Sequence, residues 1–336
     1  MAEENRQERI HIARRRLLNV LRTHTIALGR TLEQKIADAG PYNQRIDPHV
    51  LTQARNALER EGHILRLPRA NTPWFHLSTV APAELTQRLA EQEPIHSATQ
   101  DQRFTRRMGQ TLEIAVYRTL RDQAVVEYFG HFLDLDAHDD SQPYQKEEPP
   151  ARVSQRAIPG GKRFDFLLWH RTAGWTGVEV KNVREWLYPD RTEVKDMLAK
   201  ACALDAVPVL IARRIPFVTF KLLYPCGLVI WQTYRQCYPA ADHALAALAA
   251  DKRLLGYFDI RVGNEPDAHL RRFIQQNLPD VLPRARERFE IYKDLLEAYG
   301  TGNMSYQAFA ARVRRRQSGT PEDYEYDAEE PREEEC

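Results

Sequence analysis

The feature that most constrains the fold of this chain is a pair of apolar segments that carry charged residues. The segments are Arg163–Trp169 and Trp175–Lys181, and a short turn-like stretch, His170–Gly174, joins them. Apolar runs of this length next to a turn signal predict two β-strands that pair as a hairpin. Charged side chains within such strands need partners, because burying them alone is costly.

The alternation of side chains along each strand predicts where these charges meet. The predicted faces are Gly177, Glu179 and Lys181 against Val178 and Val180 in the second strand, and Asp165, Leu167 and Trp169 against Phe164, Phe166 and Leu168 in the first. If the strands pair, Asp165 approaches Glu179 and Lys181 at one end of the sheet. A divalent cation would relieve the repulsion between the two carboxylates.

The segments around the hairpin predict an α/β domain. The predicted elements, in chain order, are a helix over 103–121, the strand Ala124–Phe129, an acidic loop over Asp134–Pro150, the hairpin, a helix over Arg191–Leu204, and the apolar runs 207–212 and 227–232. The two apolar runs are typical of central strands that are covered on both faces. We therefore expect a mixed sheet flanked by the helices 103–121 and 191–204, followed by a helical C-terminal region.

This order of elements, with Asp165 followed by Glu179-Val180-Lys181, resembles the PD-(D/E)xK nuclease superfamily. The resemblance covers about residues 103–232, and Phe164 stands where the family has a proline. Holliday-junction resolvases and methylation-dependent restriction endonucleases have the most similar order of elements. Two further Glu-x-Lys tripeptides, at 33–35 and 193–195, fall in predicted helices, where residues i and i+2 do not share a face.

The resemblance implies a restriction-endonuclease-like fold and a metal site at the hairpin. Asp165, Glu179 and the backbone carbonyl of Val180 would hold Mg²⁺, for which Mn²⁺ can substitute. Lys181 would position the attacking water or stabilise the developing negative charge. The alternative is a hairpin with a structural ion pair between Glu179 and Lys181.

Residues on the two flanking helices are further candidates for this site. Glu113 matches the acidic residue that many relatives place near the metal, and its alternative is a solvated helix residue. Lys195 and Lys200 are weaker candidates for phosphate contacts, and their alternative is an ordinary position on the surface.

The first 80 residues predict a small separate domain. The predicted helices are Gln7–Thr25, Thr31–Ala39 and Asp47–Glu61, and the predicted strands are His63–Leu67 and Trp74–Leu77. Asp47 is a suitable N-cap for the third helix, and Pro48 suits its first position.

Three helices and a hairpin, with the run LEREGHILRLPRANTPWFHL, resemble the winged helix-turn-helix domain. The resemblance implies that the third helix enters the major groove of DNA. Gln53, Asn56 and Arg60 would read base edges, and Arg66 and Arg69 on the wing would hold phosphates. The alternative is a domain that binds protein or helps the chain to dimerise.

Charge and composition favour a polyanionic partner outside the membrane. The net charge is +1, but residues 320–336 carry nine acidic residues and one arginine, which leaves about +9 on the rest of the chain. No apolar run reaches the length of a membrane span, and the N-terminus lacks the apolar stretch of a signal peptide, so we expect a cytoplasmic protein. The four cysteines lack the spacing of a zinc site or a disulfide framework.

These observations together predict a Mg²⁺-dependent deoxyribonuclease that acts on duplex or branched DNA in restriction, phage defence or recombination. The alternative is a DNA-binding regulator or accessory protein with an inactive nuclease-like core. We expect a homodimer, because double-strand cleavage needs two sites, and partner proteins from a defence or recombination system. The predicted domains are a winged helix (1–80), a connector helix (81–102), a nuclease core (103–238), a helical C-terminal region (239–316) and a disordered acidic tail (317–336).

Overall fold

The computed structural model describes residues 2–37, 46–68, 72–123, 126–137 and 140–321. Its α-helices are α1 (Ala2–His24), α2 (Gly29–Ile36), α3 (Pro48–Arg60), α4 (Pro82–Gln100), α5 (Gln102–Arg121), α6 (Thr192–Leu204), α7 (Phe217–Leu223), α8 (His243–Ala250), α9 (Ala268–Arg272), α10 (Leu278–Gly300) and α11 (Tyr306–Ser318). Its strands are β1 (Ile26–Leu28), β2 (Ile64–Leu67), β3 (Trp74–Leu77), β4 (Glu127–Phe129), β5 (His131–Phe132), β6 (Lys146–Glu147), β7 (Arg152–Val153), β8 (Arg156–Ala157), β9 (Phe166–His170), β10 (Gly174–Lys181), β11 (Val207–Ala212), β12 (Val229–Gln232), β13 (Gln236–Tyr238) and β14 (Ile260–Val262). No helix among the described residues is both long and apolar enough to cross a membrane.

The described residues form two compact units. The first comprises the described residues up to Phe104 together with His243–Ile260, and the second comprises Thr105–Asp242 and the described residues from 261 to 321. The predicted domain bounds differ from this division. The connector 81–102 and a part of the C-terminal region 239–316 both belong to the first unit, in which α4 and α8 pack together. Gln34 Nε2 also donates a hydrogen bond of 2.6 Å to Asp259 Oδ1 there.

The first unit contains the predicted helices and hairpin. β2 and β3 pair antiparallel, and the unpredicted strand β1 adds to the other side of β3. Leu17 and Leu21 of α1, Leu58 of α3 and Phe75 of β3 are fully buried in one core. α3 begins at Pro48, as expected, although the Asp47 side chain makes no capping hydrogen bond.

The second unit contains the predicted mixed sheet, with the strand order β12-β11-β10-β9-β4. β9 runs antiparallel to β10 and β4, whereas β10, β11 and β12 are parallel. Apolar residues of α6 pack on the face that carries Leu167, and those of α5 pack on the face that carries Phe166 and Leu168. The predicted flanking of the sheet by these two helices is therefore confirmed.

Three predictions for the second unit need correction. All six residues of β11 are buried, as predicted, but β12 is an edge strand with only Val229 fully buried. The segment Asp134–Pro150 is not entirely loop, because β6 within it pairs with β5. The strand predicted over Ala124–Phe129 begins at Glu127, and residues 124 and 125 lie outside the described residues.

Candidate active site

Asp165 is fixed at the end of the β9–β10 pairing by its own backbone and side chain. The pairing of β9 with β10 ends at Phe166 opposite Val178, one residue after Asp165. The Asp165 backbone N–H still donates to the Val178 carbonyl at 3.1 Å, and Asp165 Oδ2 accepts a hydrogen bond of 2.7 Å from the Val180 N–H. The carboxylate therefore lies beside β10 with a defined orientation.

Glu179 and Lys181 lie next to Asp165, as the alternation along β10 predicts. Lys181 Nζ is 3.1 Å from Glu179 Oε2 and 3.9 Å from Asp165 Oδ2. These two distances limit the separation of the two carboxylate oxygens to about 7 Å. The Glu179 side chain is only 5% exposed, whereas those of Asp165 and Lys181 are 21% and 26% exposed. The cluster is thus closed on the Glu179 side and open to solvent on the other.

Phe164 lies on the face of the hairpin opposite to the predicted one. A Cβ atom at Gly177 would be 2.4 Å from the Phe164 ring, so this ring occupies the space above Gly177 on the Glu179 face. The predicted alternation does not reach Phe164, because β9 begins only at Phe166. The ring of Phe164 thereby covers the face of β10 that carries the charged residues.

Lys200 of α6 contacts Glu179, so the alternative of an ordinary surface position is wrong for this residue. Its ammonium group pairs with Glu179 Oε1 and donates a hydrogen bond of 2.8 Å to the Arg163 carbonyl, and its side chain is 8% exposed. Burial lowers the pKa of Lys200 to about 8, against the opposing effect of the Asp165 charge. Lys195 lies elsewhere, with its Nζ 5.0 Å from the centre of the Tyr299 ring.

Glu113 of α5 faces the same cluster and is not a solvated helix residue. Lys146 Nζ forms an ion pair with Glu113 Oε2 at 2.7 Å, and the Lys146 side chain is 6% exposed. Burial raises the pKa of Glu113 to about 7 and the negative charge of Asp165 adds to the rise, while Lys146 opposes it. Lys146 was not predicted as part of the site, although it is the only lysine or arginine within the acidic segment 134–150.

The oxygen donors of this cluster fit a hard cation such as Mg²⁺. Among the residues that the structure describes, no group of three His, Cys, Asp or Glu side chains could hold a metal ion unaided. The oxygen atoms that could hold a cation here are those of the Asp165 and Glu179 carboxylates and the Val180 carbonyl. That carbonyl is on the same edge of β10 as the Val180 N–H, because both backbone groups of a strand residue point to the same neighbour. Mg²⁺ needs few protein ligands, since it usually keeps several waters.

The predicted DNA-contacting residues lie on the outer side of α3 and on β2. Asn56 and Arg60 are exposed and Gln53 is half-buried, whereas Leu51 and Leu58 point into the core. Arg66 of β2 is exposed as well. Arg69, at the tip of the predicted wing, lies outside the described residues.

Comparison with models of protein families, with curated proteins and with solved structures gives no match to this chain.

Proposed function

We propose that this chain is a Mg²⁺-dependent DNA endonuclease of the PD-(D/E)xK type, with Asp165, Glu179 and the Val180 carbonyl as metal ligands. The observation that carries the proposal is the position of Lys181 between the Asp165 and Glu179 carboxylates, at 3.9 Å and 3.1 Å. Phosphodiester hydrolysis needs a polarised phosphate, an activated water and a positive charge near the developing negative charge. A metal at the two carboxylates, with Lys181 beside it, meets these needs.

Each side chain of the cluster has a separate part in the proposed reaction. A bound Mg²⁺ would polarise the phosphate and lower the pKa of a bound water. Lys181, which is partly exposed, holds the water or stabilises negative charge on the phosphate oxygens. Lys200 and Lys146 keep Glu179 and Glu113 in fixed orientations through buried ion pairs. Asp165 Oδ2 accepts a hydrogen bond from the Val180 N–H, so Oδ1 is the oxygen that would bind the metal.

The first unit is proposed to bind duplex DNA as a winged helix. Its helix α3 presents Asn56 and Arg60 on the exposed face, and β2 presents Arg66. Changing Gln53, Asn56 and Arg60 to alanine should weaken sequence-specific binding, whereas Arg66→Ala should weaken binding to all sequences and flatten its salt dependence. Fluorescence anisotropy of labelled duplexes measures both effects. Unchanged affinity in both variants would instead favour a protein-binding role for this unit.

Cleavage of plasmid and branched DNA, modified and unmodified, with and without Mg²⁺, tests the proposed activity. Asp165→Asn and Lys181→Met should both abolish cleavage, but only Asp165→Asn should reduce Mg²⁺ binding in calorimetry, because an ammonium is not a metal ligand. Glu193→Gln is a matched control, since Glu193 belongs to the same Glu-x-Lys pattern but lies on α6 and pairs with Arg191. If the wild-type chain binds no divalent ion and cuts none of these substrates, the nuclease proposal is wrong.

One observation favours the second candidate, a DNA-binding regulator with a structural charge cluster. Glu179 contacts both Lys181 and the buried Lys200, so its charge is balanced without a metal. On this alternative, the Asp165→Asn and wild-type proteins would bind DNA equally and neither would cut it in Mg²⁺ or Mn²⁺.

A further inference from the structure

A concave surface lies at the other end of the β9–β10 hairpin from the charged cluster. It encloses about 700 Å³, and its walls include the hairpin tip, the β7–β8 turn, the end of α6 and one side chain of α10. Trp169, Trp175, Arg156, Arg171, Arg286 and Asp205 line it. Indole and guanidinium groups around one cavity are a combination suited to an aromatic ligand that carries negative charge.

The aromatic wall of this cavity is an indole that is open to solvent. Trp169 and Trp175 are directly opposite each other in the β9–β10 register, with ring centres 5.0 Å apart and planes at 62°. Trp175 is half-buried and also contacts Phe129, whose ring centre is 5.7 Å away. Trp169 is 41% exposed. The ring of Trp175 thus supports Trp169 from one side and leaves it available for stacking.

The cationic wall is held in place mainly by the Asp205 carboxylate. Arg286 Nη2 is 2.8 Å from Asp205 Oδ2, and Arg286 Nη1 donates to the Asp205 carbonyl at 2.7 Å. Arg156 and Lys293 pair with the same carboxylate, and Arg286 also pairs with Glu290. Three cations therefore face two carboxylates, which leaves one positive charge in excess. Asp205 orients these groups but does not neutralise them.

Arg171 adds a further positive charge at the hairpin tip. It is exposed, and it makes no ion pair with the described part of the chain. The segment 152–163 connects the cavity to the charged cluster. It begins with β7, passes through the β7–β8 turn and ends next to Phe164, the residue before Asp165. It contains four basic residues, Arg152, Arg156, Lys162 and Arg163, and no acidic residue. All four are exposed, so this segment offers a basic path along the surface.

We infer that this cavity binds one unpaired nucleotide of the substrate strand, with the base on Trp169 and a phosphate at Arg171 and Arg156. The inference rests on the proposed nuclease function and specifies its substrate as DNA with a single-stranded segment. Trp175 and Glu179 share one face of β10 and are four residues apart, roughly 13 Å at the rise of a strand. This distance equals about four steps at the duplex rise of 3.4 Å per nucleotide, and fewer steps of a more extended single strand. The unpaired nucleotide is therefore close to the cleaved phosphate along the same strand.

Binding measurements on the full chain in EDTA test this inference independently of cleavage. The probes are a labelled single-stranded oligo-dT of twenty nucleotides, a blunt duplex of the same length, and free thymidine monophosphate. Trp169→Ala should weaken binding of the single strand about tenfold, because stacking on an aromatic side chain contributes at that scale. Arg171→Ala should reduce the slope of log affinity against log salt by about 0.7 for the single strand. Duplex affinity should be unchanged in both variants.

Matched controls separate a local effect from a general one. Phe217→Ala removes an aromatic side chain that is 69% exposed elsewhere on the same unit, and Arg235→Ala removes an exposed arginine. Neither control should alter single-strand binding. Trp169→Phe keeps an aromatic ring at this position and should retain most of the single-strand affinity. If Trp169→Ala bound poorly only because it was misfolded, this difference between the two variants would not depend on the aromatic ring. The oligonucleotide should also bind far more tightly than the free nucleotide.

Three results would overturn the inference: equal single-strand affinity of wild type and Trp169→Ala, equal losses in the control variants, or equal affinity for the oligonucleotide and the free nucleotide. The last result would assign the cavity to a free nucleotide. Cleavage by the wild-type chain in Mg²⁺ is measured in parallel. If Trp169→Ala loses single-strand binding but the wild-type chain cuts nothing, the nuclease proposal fails and the cavity assignment stands. If the chain cuts DNA and Trp169→Ala binds normally, only the cavity assignment fails.

Discussion

Replacing Glu113 by glutamine should stabilise the metal-free protein at neutral and alkaline pH. Glu113 is buried beside Lys146 and close to Asp165, and its pKa is raised from the ordinary 4.5 to about 7. The folded state therefore disfavours the ionised carboxylate more than the unfolded state does. Glutamine has the size of the protonated side chain and still accepts a hydrogen bond from Lys146, but it cannot ionise.

The magnitude follows from the shift in pKa. A rise in pKa from 4.5 to about 7, at about 1.4 kcal/mol per pKa unit, lowers the free energy of unfolding of the wild-type protein by about 3 kcal/mol once Glu113 is ionised. Below pH 4.5 the carboxylate is protonated in both states, so the wild-type and variant proteins should have similar free energies of unfolding. Wild-type stability should then fall relative to Glu113→Gln as the pH rises from 4.5 to 7, and the difference should stay constant above pH 7.

Urea unfolding at pH 5 and pH 8 in EDTA measures this difference. Glu148→Gln is the matched control, because Glu148 is also near Lys146, at 3.9 Å, but its side chain is half exposed. The control should change stability by less than about 1 kcal/mol at both pH values. If the stability difference between Glu113→Gln and wild type is the same at pH 5 and pH 8, burial and the Asp165 charge do not raise the pKa of Glu113.

Two further stability predictions concern the scaffold of the second unit. Asp205→Asn should cost about 2 kcal/mol at pH 7, because ion pairs with Lys293, Arg286 and Arg156 lower the pKa of Asp205 from 3.8 to about 2 against the effect of burial. This contribution to stability is present above pH 3.8 and is lost as the pH falls towards 2. Thermal unfolding of both proteins across that range measures it. If Asp205→Asn destabilised the protein as much at pH 2 as at pH 7, the prediction would be contradicted. Gly177→Ala should cost about 1–3 kcal/mol by forcing the Phe164 ring aside. Chemical denaturation should find part of this loss recovered in the Gly177→Ala, Phe164→Leu double variant, and a neutral Gly177→Ala would refute the close contact.

The sequence predicted those parts of the candidate site that depend on neighbouring residues. Asp165, Glu179 and Lys181 are within one hairpin, so alternation and a short turn were enough to bring them together. Lys146 and Lys200 could not be predicted in this way, because their contacts with Glu113 and Glu179 depend on packing between separate elements. Lys200 in particular is on a helix whose distance from β10 is set by the core and not by a local pattern.

The same limit explains the errors in the fold. β11 and β12 are both apolar, and no property of either segment alone tells which one is at the edge of the sheet. The place of α8 in the first unit depends on partners such as Gln34 and Asp259, which are 225 residues apart. Phe164 was assigned to the wrong face because the period of a strand was extended beyond the first residue of β9.

The energetic cost of the charged cluster is the strongest general argument that it has a function beyond stability. Glu179, Lys200 and Lys146 are almost excluded from water, and replacing buried ion pairs by apolar side chains of similar volume is often neutral or stabilising. A scaffold selected for stability alone would have no need of three carboxylates and three lysines at one end of an apolar sheet. The charges are also arranged unevenly, since the closed ion pairs lie behind Asp165 and Lys181, which remain open to solvent. A binding site must hold its geometry while a charged ligand enters and leaves. Buried ion pairs that support solvent-accessible charged groups meet this need.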